Sequence, residues 1–320
     1  MCYSAQIRAD HRTFTRLFGA DISIREFVRL FYERHEGNAA IKIPKAMEAA
    51  FAHPQSEDER RIKELIDAFH REQAMKFEQE LFVQRKRLAD AERVLQAKPT
   101  KTAAEHQRIA TSKIEQIRGR LEDLRRTDLQ DRDSRIFPGV YAPVMIVQDG
   151  RKVVVPMRYH CRPQGKPPSF DREFPGTYNA RRDNLEGFWR KQFGYSHGLM
   201  IVNEFYENVK RHRTERRELA PGEKPENVVL EFKPRPVQDM LVACLWSRWT
   251  APGQPDLLSF AAITDEPPEE IAAAGHDRCI VPIRAENVDA WLNPDPRDLQ
   301  AQYAILDDRE RPYYEHRLAA

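Results

Sequence analysis

The apolar positions of this chain change their spacing twice. Residues 1–55 are mixed: an extended start, Met1-Cys2-Tyr3-Ser4-Ala5-Gln6-Ile7, precedes helical segments around Ile24–Tyr32 and Pro44–Phe51. From Ser56 the spacing turns helical. Ser56 and Glu59 form a capping-box pattern at the head of a long charged helix. Phe77, Leu81, Leu88, Ala91 and Leu95 continue it on an approximate heptad seam. Pro99 and Thr100 interrupt, and Thr102 with Glu105 supplies a second capping-box pattern. Ala110, Ile114, Ile117, Leu121 and Leu124 then alternate four and three apart, the spacing of a coiled-coil face. Two helices joined by a short break predict an antiparallel hairpin over residues 56–126. Its first arm, of about 40 residues, reaches roughly 60 Å. It reads as an insertion projecting from a single domain of residues 1–320.

After Asp131 the period shortens to that of strands. Tyr141–Val147 and Lys152–Met157 are apolar and β-branched, and Asp149-Gly150 between them is a hairpin-turn signature. Further strands are expected at Leu199–Val202, Val228–Phe232, Met240–Trp246, Leu257–Ile263 and Ile280–Ile283, with helices at Pro268–Ala274 and Ala285–Leu292. Strands dominate and no βαβ alternation occurs. The expected class is α+β, a curved, largely antiparallel and barrel-like sheet with peripheral helices. The tail after Pro294 is polar and charged, with tyrosines suited to docking it.

Composition narrows the function. Apolar residues make up 41% and charged residues 32% of the chain, as in a globular protein with a charged surface. No run of 18 apolar residues is present, so no membrane-spanning helix is expected. The charged N-terminal segment does not read as a secretory signal, and a cytoplasmic location is expected. Cys2, Cys161, Cys244 and Cys279 lie far apart and form no C-x-x-C pair, which favours neither a disulfide framework nor a zinc knuckle. Neither metal nor cofactor is expected; His160-Cys161 and His276 with Cys279 lack ligand spacing. Net charge is +2, but Asn179–Arg217 holds nine Lys or Arg against five Asp or Glu. That excess suits a nucleic-acid backbone or a solvated face.

Cys2 is the residue with distinctive chemistry. If Met1 is removed, the chain begins with an α-amine of pKa about 7.7–8.0 and a thiol of about 8.5, both partly nucleophilic near neutrality. A 1,2-aminothiol condenses with an aldehyde to a Schiff base that the thiol closes into a thiazolidine. The plain alternative is an accidental cysteine at position 2. Three later clusters bear on the choice: Tyr178-Asn179-Ala180-Arg181, Asn203-Glu204-Phe205-Tyr206-Glu207 at the end of an apolar strand, and Gly275-His276-Asp277-Arg278. Each alone also has a structural reading, as polar residues at element ends.

Together with Met1-Cys2, the motifs Asn179-Ala180-Arg181, Phe205-Tyr206-Glu207 and His276-Asp277-Arg278 resemble, in order, those of the SRAP family of abasic-site crosslinking proteins. The segment Trp291–Pro294 sits where the family often has a Trp-Leu pair. The resemblance covers roughly residues 1–20 and 135–295 and leaves the hairpin as an addition. Three positions depart from it. Tyr3-Ser4 stands for Gly-Arg, so a cation near DNA phosphate is missing; Asn208 stands for a tryptophan, and Cys279-Ile280 for Met-Pro.

The resemblance implies covalent capture of abasic sites in single-stranded DNA through Cys2, after autoproteolytic or aminopeptidase removal of Met1. It implies that Asn179 orients the N-terminal residue, Glu207 shuttles protons, and His276 assists opening of the sugar ring. Arg181, and after it Arg182, are the expected phosphate contacts. Phe188, Trp189 and Tyr206 are either base-stacking or core residues. Two other functions stay open: a peptidase using Cys2 as nucleophile, and a coiled-coil interaction module whose core has lost its chemistry. The hairpin, with net charge +3 over residues 56–126, suits a protein partner better than DNA.

Overall fold

A computed structural model describes residues 4–37 and 41–319. In chain order its strands are β1 (Ser4–Ile7), β2 (Asp21–Ile22), β3 (Arg135–Ile136), β4 (Tyr141–Gln148), β5 (Arg151–Tyr159), β6 (Asn179–Arg181), β7 (His197–Lys210), β8 (Asn227–Arg235), β9 (Met240–Trp249), β10 (Leu257–Asp265), β11 (Cys279–Ile280) and β12 (Tyr313–Leu318). All belong to one sheet. Its pairings close on themselves through β10, β5, β4, β7 and β9. The sheet is ring-like but not a barrel, since β4 meets β7 at the single pair Met145↔Leu199.

The α+β expectation holds, and the predicted strands are present. Asp149 and Gly150 both take positive φ, 52° and 74°, which closes the β4–β5 hairpin in the register Gln148↔Arg151. The sheet is largely antiparallel, as expected, and mixed only through β2, which runs parallel to β5, and β10, which runs parallel to β5 and β6. The tail is more ordered than its polarity suggested. It forms a helix at Leu299–Asp307 and then β12, which pairs with β8 and buries Tyr314.

Helices α1 (Arg12–Phe18), α2 (Ile24–His35) and α3 (Lys45–Ala49) precede the hairpin of α4 (Glu57–Ala97) and α5 (Lys101–Arg125). Ser56 accepts from the Glu59 N–H at 3.2 Å, as the sequence predicts. Glu59 then reaches back to the Gln55 N–H at 2.6 Å rather than to Ser56, and accepts from Arg12 at 2.9 Å. The second cap is Thr100, which accepts from the Ala103 N–H at 3.2 Å; Thr102 already lies inside α5. The seam is found as expected, with Ala91, Ala110, Ile114, Ile117 and Leu121 buried.

The base of the hairpin, however, is part of the core. Ile62 and Ile66 join the main cluster that also holds Phe27, Phe31 and Phe51. Arg126 at the far end of α5 is fixed to Asp133 at 2.7 Å. A heptad pattern identifies an apolar stripe but not the surface that covers it. Here the first turns of α4 cover α2, and only the later turns cover α5.

Candidate functional site

Glu207 lies within β7, not at its end as the sequence suggested, because the strand runs on to Lys210. Strand β7 pairs with β9 over residues 197–202, with β8 over 205–210 and with β1 over 202–206. Alternation of side chains puts Glu207 on the face of Phe205. Phe205 stacks on Phe232 (5.2 Å) and meets the edge of Tyr314 (5.2 Å). Glu207 is thus a fully buried carboxyl, 0% exposed, on an apolar face. Such a group is costly without a polar partner. His276 is one: its Nε2 lies 3.3 Å from Glu207 Oε2.

Local backbone chemistry aims that histidine. A short helix, Glu269–Ala273, ends at Gly275, whose φ of 98° suits glycine and whose missing Cβ would stand 2.9 Å from Arg213 Cβ. The next residue, His276, donates its N–H to the Ile271 carbonyl at 3.2 Å. Its Nδ1 has the Arg278 carbonyl at 2.9 Å and the Arg278 N–H at 3.3 Å. Either tautomer therefore finds a partner, and one proton can pass between His276 and Glu207. Burial holds the imidazole below its usual pKa and favours the neutral form. Cys279 is buried three residues later, and burial followed by the charge of Glu207 pushes its thiol up. A buried thiol of that kind is inert.

Asn179 begins β6 and pairs with Ala262 of β10. The same strand end carries β11 on its other side through Thr264↔Ile280. The segments bearing Asn179 and His276 are therefore the two neighbours of one strand end. Asn179 is buried, and neither its Oδ1 nor its Nδ2 meets a hydrogen-bond partner among the described residues. An unsatisfied buried amide costs about 1–3 kcal/mol, so this group is poised for a polar partner from outside the described residues.

A family model for the SOS response associated peptidase (SRAP) matches residues 97–317. The chain belongs to the SRAP family. Membership associates it with the SOS response to DNA damage. No curated protein matches the chain. Among solved structures, a protein from Bordetella bronchiseptica is 16% identical with a TM-score of 0.45, over 58% of this chain and 87% of its own. A protein from Bacteroides thetaiotaomicron is 12% identical with a TM-score of 0.45, over 58% and 78%. A phage-related protein from Bordetella bronchiseptica is 18% identical with a TM-score of 0.43, over 61% and 85%.

The remaining predicted residues of this SRAP chain divide by exposure. Cys2 lies outside the described residues, as do Met1 and Tyr3. The first described residue, Ser4, pairs with Tyr206, the neighbour of Glu207. Arg181 is exposed and held by Asp183, with Nε to Oδ1 at 2.9 Å. Arg182 is tied more tightly, to Asp307 at 2.6 Å and Asp265 at 3.3 Å, with its guanidinium over Tyr303. Trp189 and Tyr206 are core residues, whereas Phe188 is exposed. Trp291 is fully buried and donates to the Gly198 carbonyl at 2.9 Å. The sequence reading missed Arg135, whose Nε donates to Ser4 Oγ at 3.0 Å and whose guanidinium lies 3.5 Å from the Tyr206 ring centroid. No motif surrounds it; the pairing of β3 with β1 brings it there. Among the described residues no helix is long and apolar enough to cross a membrane.

Proposed function

We propose that this SRAP protein captures abasic sites in single-stranded DNA through a thiazolidine formed by Cys2 after loss of Met1. The observation that carries the reading is the buried Glu207–His276 pair at 3.3 Å, next to the strand position that Ser4 occupies. Two peptide units join Cys2 to Ser4, so their Cα atoms lie within about 7.6 Å of each other. An aldehyde bound there meets an amine, a thiol, a proton relay and the amide of Asn179.

The Cys2 amine adds to C1′ of the ring-opened deoxyribose and gives a carbinolamine. Glu207, in its acid form, protonates the departing hydroxyl, and water leaves as the Schiff base forms. The Cys2 thiol then adds to the imine carbon; its proton goes to Glu207 and the imine nitrogen is protonated in turn. One water is released in all and no redox change occurs. His276 keeps the relay supplied, and also serves the sugar-ring oxygen as the ring opens. Asn179 holds the N-terminal residue in position, which gives the reaction its intramolecular advantage. Arg181 contacts phosphate once it is released from Asp183; Arg182, held by two carboxylates, contributes less.

The test is a denaturing gel with a single-stranded oligonucleotide bearing one abasic site. Wild-type protein forms a shifted band that survives denaturation, and Cys2→Ala does not. An equally stable band from Cys2→Ala overturns the linkage. The peptidase reading has the family's name behind it, and Met1 removal by the chain itself is its most limited form.

A further inference from the structure

The seam between α4 and α5 does not use all of the hairpin's apolar surface. Pairing two helices needs one apolar stripe on each, and α4 supplies it with Leu81, Leu88, Ala91 and Leu95. Met75, Phe82, Val83 and Val94 are apolar besides; all four lie on α4 and are exposed, Phe82 to 71%. Phe82, Val83 and Val94 line a groove of about 650 Å³, together with Ala91 and with Ala103 and His106 of α5. From Phe82 to Val94 the groove follows α4 for about 18 Å, at 1.5 Å per residue. Its border carries charge of one sign. Lys86 and Arg87 line it, and among the described residues neither forms an ion pair. The acidic residue beside them, Asp90, is held by Arg93 at 2.9 Å, and on α5 Glu105 is held by Arg108 at 2.6 Å. Residues 82–108 contain seven Lys or Arg against three Asp or Glu, whereas the rest of residues 56–126 has ten against eleven. The net positive excess of the hairpin therefore gathers at its tip, around the exposed groove.

We propose that the tip of the hairpin is a docking site for an acidic amphipathic helix of a partner protein, which packs along α4 between Phe82 and Val94. Charge and apolarity together select this occupant. Nucleic acid would satisfy the cations but set Val83 and Val94 against a charged backbone. A second copy of the chain would bring the same positive excess to the same surface and be repelled. A helix with apolar residues at heptad spacing and carboxylates beside them meets both requirements. Its apolar stripe fills the groove as the third helix of a small bundle, and its carboxylates face Lys86 and Arg87. Docking there is independent of the chemistry of Cys2.

The experiment titrates the full chain into a labelled synthetic helix of about three heptads, with Leu at a and d and Glu at e and g. Repulsion among its glutamates keeps the peptide from pairing with itself. Binding is expected with a Kd on the order of 10 µM. Phe82→Asp weakens it at least about tenfold, as loss of a central aromatic anchor does. The double substitution Lys86→Glu, Arg87→Glu weakens it about tenfold at low salt and far less near 1 M salt, where charges are screened beyond about 3 Å. Lys113→Glu, on α5 outside the groove, leaves the affinity within about twofold. Phe82 and Lys86 are exposed and Arg87 is half-buried, so the variants keep the melting temperature of the wild type. A peptide with Lys in place of Glu does not bind. Equal binding of the Glu and Lys peptides, or binding of neither, overturns the proposal. A single-stranded oligonucleotide that binds more tightly than the peptide and loses affinity in the same variants assigns the tip to nucleic acid instead. A dimer in sedimentation that Phe82→Asp dissolves assigns the groove to a second copy and overturns the proposal equally.

Discussion

Between residues 80 and 118 the hairpin's buried side chains, Gln84, Ala91, Ala103, Ala110, Ile114 and Ile117, lie outside the main core cluster and face the opposite arm. Around Glu207, by contrast, the buried groups arrive from β7, the loop before β11 and the C-terminal strand β12, with His276 and Tyr314 both more than 60 residues beyond Glu207 in sequence. The first region is held by neighbours in sequence and the second by long-range pairing. Local seams make a region separable; a site assembled from distant strands needs the entire sheet. The base of the hairpin belongs with the sheet in this respect, since Ile62 and Ile66 enter the main cluster.

The largest effect that tests this contrast comes from two deletions. Replacing residues 56–126 by a Gly/Ser linker removes Ile62 and Ile66, each worth about 1.5–3 kcal/mol of burial. The anchors Arg12–Glu59 and Arg126–Asp133 go with them. Circular dichroism and thermal melts should show a chain that no longer folds cooperatively. Replacing residues 80–118 alone should leave a cooperative melt and an unchanged rate of adduct formation. A folded 80–118 deletion that forms no adduct would place the distal hairpin in the site.

Next in size is the proton relay. Glu207→Gln keeps the shape and a polar group but removes the acid, and the crosslinking rate is expected to fall roughly 100-fold or more. The melting temperature serves as the control for folding. A rate within twofold of wild type would remove Glu207 from the mechanism.

Acid sensitivity distinguishes the two ends of the fold. His11 packs against Phe27 and Phe51 near the hairpin base, and burial pushes its pKa down to about 4. The folded pKa lies below the unfolded value of about 6.5, so the unfolded chain binds the extra proton. The stabilisation is complete above pH 6.5 and is lost as the pH falls towards 4, a change of about 3 kcal/mol for this residue. His11→Leu should flatten that dependence in urea melts recorded between pH 7.5 and 4. A wild-type curve that is already flat would contradict the assignment.

The smallest effect belongs to the hairpin tip. Thr100→Ala removes the cap of α5 and should cost ~1 kcal/mol locally, detectable as faster amide exchange in residues 101–104. It should leave adduct formation unchanged.

This division also explains what the sequence disclosed. Heptad spacing, the Ser56 cap and the Asp149-Gly150 turn act over a few residues, and each was legible where it stands. The motif residues Asn179, Glu207 and His276 were legible through resemblance, although their spacing in sequence says nothing of the 3.3 Å contact. The continuation of β7 past Val202 was missed because polar residues at 203, 204, 207 and 208 break its apolar run. The two carboxylates are tolerated because Lys233 engages Glu204 and His276 meets Glu207. Thr102 was taken for the cap because Glu105 stands three residues on; Arg108 holds that glutamate instead. Arg135 carried no local signal at all. Its partners, Ser4 and Tyr206, are 131 residues before it and 71 after it, and only the pairing of three strands brings them together.

The central claim is the identity of the linkage, and intact-mass spectrometry of the adduct tests it most directly. The account predicts the mass of the chain without Met1 plus that of the abasic oligonucleotide less one water, with the modified fragment mapping to the N-terminal peptide. A covalent adduct that retains Met1, or that maps to an internal residue, would contradict it.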